Sequence, residues 1–99
     1  MGEIDILEEL GGSELLCALA EEASELSQAA LKFRRAINGK NPTTKTLDEC
    51  AADMLEEISD CELILELLGY SGPSTIEHRE AIKRQKEARW KQRIADSRK

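Results

Sequence analysis

The 99-residue chain has one histidine, three cysteines, three aromatic residues and two prolines, and it contains no long apolar run. Each scarcity removes a class of function. With His78 alone, in the setting Ile76-Glu77-His78-Arg79, the Glu-x-x-His pairs of a di-iron helical bundle cannot be assembled, and a Ser-His-Asp or Cys-His nucleophile has no positional support. Cys17, Cys50 and Cys61 are odd in number and form no Cys-x-x-Cys pair, which signals neither a disulfide framework nor a zinc site. They read as reduced, small core residues. No run approaches the ~20 apolar residues that cross a bilayer. The start, Met1-Gly2-Glu3-Ile4-Asp5, is acidic where a secretory signal is basic, so a cytoplasmic protein with no membrane partner is expected.

What is abundant is charge. Twenty Asp and Glu face 14 Lys and Arg, a net charge of −6 that argues against DNA as a partner for the whole chain. The balance is uneven: residues 1–69 carry 16 acidic and 5 basic side chains, net −11, whereas residues 70–99 carry 4 acidic and 9 basic, net +5. The two parts attract each other or a common ligand. A chain of this length makes one domain, 1–99, and hides only about 60 to 65% of its unfolded surface on folding.

Every apolar series repeats at three and four residues and none alternates, so the fold class is all-α. Four helices are expected. A short first one, about Glu3 to Leu10, stops at Gly11-Gly12; Ser13 caps a second that runs to about Ile37, with Asn38-Gly39 as terminator. Thr46-Leu47-Asp48-Glu49 has the form in which side chain and backbone amides satisfy each other, so a third helix begins there and ends before Gly69. Ser74-Thr75-Ile76-Glu77 repeats that form behind Gly72-Pro73 and opens a fourth, reaching about Ile94. The loop Asn38 to Lys45 is the only sizeable linker.

The expected second helix has an apolar seam of Leu15, Leu19, Leu26, Ala30, Phe33 and Ile37 that lacks one heptad position, and Glu22 occupies it. Glu25 lies on the flank and Glu21 farther round. The third helix has a full seam of Leu47, Ala51, Met54, Ile58, Cys61, Leu65 and Leu68, flanked by Asp53, Glu57, Asp60 and Ile64. A short loop makes these two helices an antiparallel hairpin. Counted from the turn at 1.5 Å per residue, Glu22 and Glu25 stand within roughly 3 Å of the level of Glu57 and Asp60. Four carboxylates converging on partly buried surface repel strongly unless protonated or neutralised by cations. Oxygen-only ligands favour a hard divalent ion, Mg²⁺ with Mn²⁺ as the alternative.

Glu21-Glu22-Ala23-Ser24-Glu25 followed by Glu57-Ile58-Ser59-Asp60 resembles the EExxE and ExxD signature of the MazG-like, all-α nucleotide pyrophosphohydrolases. The stretch from Leu16 to Leu68 is similar throughout, and the closing KRQKEARWKQRI resembles the basic last helix of small members. The resemblance implies Mg²⁺-dependent hydrolysis of nucleoside triphosphates, commonly non-standard or deoxy ones, to the monophosphate and pyrophosphate. It implies metal ligation by Glu22, Glu25, Glu57 and Asp60, and it matches Glu21 to the leading glutamate, which orients or deprotonates the attacking water. A triphosphate also wants cations from the protein. Lys32, seven residues beyond Glu25 and on the same face, is the first candidate, and Arg79 and Lys83 of the last helix are further ones.

On the expected fourth helix Ile76, Ile82, Trp90 and Ile94 share one arc with Arg79, Lys83 and Lys86, a weakly apolar, basic face suited to docking on the acidic body or on a second subunit. Two seamed helices do not enclose each other, so a partner hairpin is expected to complete a four-helix, MazG-like bundle as a homodimer or a dimer of dimers. Two alternatives stand beside the leading one. The first is a non-enzymatic helical module that binds a partner through its seams. The second is phosphoribosyl-ATP pyrophosphohydrolase, whose acidic motifs are similar.

Overall fold

The computed structural model describes Gly2–Lys99, and among the described residues there is no strand. It contains three helices where four are expected: α1 (Ile6–Asn38), α2 (Leu47–Leu67) and α3 (Pro73–Ser97). The two helices expected on either side of Gly11-Gly12 are joined end to end in α1, and they meet at the expected glycine. Gly11 adopts φ 82° and ψ 162°, which breaks the helical dihedrals at that residue only, and the chain resumes α geometry at once. The break is therefore a kink at which two helical segments meet, where the stop was expected, and among the described residues Ser13 makes no side-chain capping hydrogen bond. Among the described residues, none of the helices is long and apolar enough to cross a membrane.

Local chemistry sets the helix ends. Asp5 accepts a hydrogen bond from the Glu8 backbone N–H at 3.0 Å and starts α1; Gly39, at φ 67°, ends it by donating its N–H to the Arg35 carbonyl at 3.0 Å. At α2 the reciprocal cap read from Thr46 and Glu49 forms in full: the Glu49 N–H donates to Thr46 Oγ1 at 3.1 Å and the Thr46 N–H to Glu49 Oε1 at 3.0 Å. Replacing Thr46 by alanine is expected to cost about 1 kcal/mol of stability, read as a lower urea midpoint at unchanged slope. The similar motif at Ser74 is not used. Pro73 takes the first helical turn with Gly72 as N-cap, because proline lacks the N–H that a cap would have to satisfy and presets the helical φ.

The chain divides into two compact units, one ending at Leu68 and the other Gly69–Lys99. The first is an antiparallel hairpin of α1 and α2, joined by residues 39–46 and packed along their length. Its core is thin, as the length requires. Leu15 (3% exposed), Ala29, Cys50 (1%) and Ile64 are buried, and each of the larger two contributes about 1.5 to 3 kcal/mol by leaving water.

The inward faces differ in detail from the apolar seams. On α1 the covered line after Leu26 runs through Ala29, Phe33 and Ala36, while Ala30 and Ile37 (68% exposed) face solvent. On α2 the expected seam members Ala51, Met54, Cys61, Leu65 and Leu68 are half-buried, Leu47 and Ile58 are exposed, and Cys50, Glu57 and Ile64 join the covered face. The helix is turned by less than one residue step of about 100° from the expected orientation. Cys17 is exposed, so the three cysteines are not all core: only Cys50 is fully enclosed. In the second unit, the guanidinium of Arg79 donates to the Tyr70 carbonyl at 2.7 Å and ties the turn to α3, a helix with no buried residue.

Candidate metal centre

The turn of α2 puts acids into the interface. Glu22 follows Leu15 and precedes Ala29 at seven-residue intervals on α1, and Glu57 stands likewise between Cys50 and Ile64 on α2. Each occupies a position that a packed helix pair would fill with an apolar side chain. Heptad neighbours on both sides fix its level and direction, so the two carboxylates face each other across the hairpin. Glu25, one turn from Glu22, completes the group: one carboxylate oxygen from each of Glu22, Glu25 and Glu57 lies within 4.8 Å of the others.

These groups are only partly hydrated. Glu22 and Glu57 are half-buried, Glu25 is exposed, and Oε2 of both Glu22 and Glu57 is shielded from solvent with no hydrogen-bond partner. Burial and mutual repulsion shift the pKa values of Glu22 and Glu57. Burial, followed by the carboxyl of Glu25 and the charges of Asp60 and Glu57, pushes the Glu22 carboxyl up to about 7 from an ordinary 4.5. Burial and then Glu25 and Asp60 raise Glu57 in the same direction. The Cys61 thiol is raised as well, by burial first and then by Glu22, Glu57, Asp60 and Glu25. Read in the sequence as a core residue only, Cys61 borders the carboxylates. The signal that it does so is its position one turn beyond Glu57.

The other expected site residues stand as follows. Asp60 is half-buried one turn beyond Glu57, close enough for its charge to act on Glu22 and Glu57 but outside the three that converge. Glu21 is exposed, and the thiol of Cys17 makes a long 3.9 Å contact with its Oε1. Lys32 is exposed, about 10 Å along α1 from Glu25. Arg79 and Lys83 belong to the second unit, where their cations are engaged with the Tyr70 carbonyl and, at 2.8 Å, with Glu80.

Three converging oxygen donors, two of which carry a shielded and unbonded oxygen, suit a hard divalent cation that keeps part of its water shell. No lysine or arginine among the described residues pairs with Glu22, Glu25 or Glu57. Among the described residues of the hairpin, Lys45 is the one cation in an ion pair, held by Asp53, which raises its pKa further. Neutralisation of the cluster therefore comes from protons or from a bound cation. Compared with known proteins, the chain matches no family model, no curated protein and no solved structure.

Proposed function

We propose that the protein hydrolyses nucleoside or deoxynucleoside triphosphates to the monophosphate and pyrophosphate with Mg²⁺, Mn²⁺ being a substitute, in the manner of the MazG-like enzymes its acidic motifs resemble. One observation carries the reading. Carboxylates from two helices occupy the packed seam of a hairpin, where their mutual repulsion opposes folding. A structural role would be better served by leucine.

Glu22, Glu25 and Glu57, with Asp60 one turn on, would hold the ion. When bound, it supplies Lewis-acid polarisation of a phosphoryl oxygen and lowers the pKa of coordinated water. The protein's own residues do the rest. Packing of Leu15, Ala29, Cys50 and Ile64 above and below the two acids holds their carboxylates at one level, so the ligand set is organised before substrate arrives. Glu21, exposed and next to Glu22 in the chain, would accept the proton of the attacking water as its oxygen bonds to the α-phosphorus and the bond to the bridging oxygen breaks, releasing pyrophosphate. Lys32, exposed on the same helix, would meet a phosphate oxygen. Pyrophosphate release from a panel of NTPs and dNTPs, with and without Mg²⁺, tests the reading. Metal-dependent release from at least one substrate is the expected result. Its absence across the panel, with no effect of Mg²⁺ on the melting temperature, would leave the non-enzymatic module as the better account.

Self-association belongs to the same reading. Large apolar side chains remain exposed on the hairpin, among them Leu16, Leu31, Leu55 and Leu63, and on α3 Ile76, Ile82, Trp90 and Ile94 are all more than a third exposed. A second copy would cover part of this surface. Trp90, 64% exposed and the only tryptophan, reports on it directly. Its emission is expected to shift to the blue as protein concentration rises, in step with an increase in sedimentation coefficient. A concentration-independent spectrum with an 11.0 kDa species in solution would remove the proposed dimer.

A further inference from the structure

Every basic side chain before Gly69 falls within one acid-free stretch: residues 26–47 hold Lys32, Arg34, Arg35, Lys40 and Lys45 and no Asp or Glu. Lys45 is paired with Asp53. Arg34, Arg35 and Lys40 have no ion-pair partner among the described residues. Together with Leu31, Asn38 and Asn41 they line a concavity of about 350 Å³ where the end of α1 meets the loop. At about 100° per residue, Leu31, Arg34, Arg35 and Asn38 lie roughly 120° to 220° around α1 from Glu22. The concavity is therefore on the side away from α2 and from the carboxylates.

The helix dipole explains a cation in the last turn of α1, where Arg35 stands. It does not explain Lys40 and Asn41, which lie beyond the left-handed cap at Gly39 and line the same hollow. Asn38 Oδ1 accepts the Lys40 backbone N–H at 3.2 Å, which leaves the Asn38 amide NH₂ as a donor. The residues that line it thus include two arginines, a lysine and two asparagines, and no Asp or Glu. Like charges gathered around one hollow repel unless an anion sits among them, and guanidinium forks match phosphate oxygens two at a time.

We infer that this concavity binds a diphosphate group, as inorganic pyrophosphate or as the diphosphate end of a nucleotide, at a site separate from the acidic cluster. Three positive charges balance a diphosphate at neutral pH, and the volume lies at the small end of the range for ligand pockets, about 300 to 1,000 Å³. The site does not depend on the proposed hydrolysis, so its test is run in EDTA.

The full chain is titrated with inorganic pyrophosphate and, separately, with ADP, at constant ionic strength, by calorimetry and by amide chemical shifts. Saturable binding with one ligand per chain is expected, with shifts centred on Leu31 to Asn41. Affinity should fall at least tenfold in the Arg34→Gln/Arg35→Gln double variant and at least threefold in Lys40→Gln, a loop substitution that spares the helix. Glu57→Gln should bind as the unsubstituted protein does. Equal affinity for the two ligands identifies the diphosphate alone as the recognised group, and tighter ADP binding identifies the nucleotide. Shifts reproduced by sulfate at matched ionic strength, undiminished binding in Lys40→Gln and the double variant, or tighter binding of a single-stranded oligonucleotide over the same residues would overturn the assignment.

Discussion

Replacing Glu57 by glutamine is expected to lower Mg²⁺-supported pyrophosphate release by on the order of 10²-fold or more while raising the melting temperature of the metal-free protein. Loss of a group that merely supports a metal ligand costs about 10- to 100-fold, and loss of a ligand itself costs at least as much. The opposite sign of the stability effect follows from the position of the side chain. Glu57 is half-buried, has a shielded oxygen without a partner, and feels Glu25 and Asp60. Glutamine keeps its length, removes its charge and brings an NH₂ that can donate to a neighbouring carboxylate. A residue kept for packing would give the reverse pattern, with activity retained and stability lost. Glu62→Gln, at an exposed position on the same helix, is the control that should change neither quantity. Full activity in Glu57→Gln would remove this residue from the site.

The second large effect is a coupling between pH and Mg²⁺. The Glu22 carboxyl is raised to about 7 in the folded protein from 4.5, so between those values the native state holds a proton that the unfolded chain has lost. Stability therefore falls as pH rises through this window, because the unfolded state binds fewer protons than the native one. Glu57, shifted the same way, adds to the decline. Glu49 and Glu80 are lowered by their hydrogen-bonded partners and act with the opposite sign, but below pH 4.5, outside the window. A divalent cation binds the ionised carboxylates and competes with the protons. At a free concentration 100 times its Kd it adds about 2.7 kcal/mol, and the gain should be present at pH 8 and largely absent at pH 5. Thermal melts at pH 5, 6, 7 and 8, with MgCl₂ or with EDTA, measure both parts. Stability in EDTA that rises from pH 5 to 7, or an equal Mg²⁺ increment at both ends, would contradict the cluster as described.

The sequence alone determined the helical class, the ends of α2 and the placement of an acid inside the seam of α1. Each depends on neighbours a few residues away: three- and four-residue apolar spacing, the reciprocal cap of Thr46 and Glu49, and the interruption of a heptad at Glu22. The level of Glu57 opposite Glu22 was also legible, because a short loop makes residue counting a measure of height. Rotation was not. Turning α2 by less than one residue step exchanges Leu47 and Ile58 for Cys50 and Ile64 and leaves the inward face almost equally apolar, so local pattern does not choose between them. Packing against α1 chooses, and it carries Glu57 from the flank to the middle of the interface. The break at Gly11 was legible in Gly11-Gly12, whereas the concavity beyond Gly39 was not. Glycine permits a break or a turn of the chain, and only the surrounding tertiary structure decides where the chain goes next and which side chains meet there.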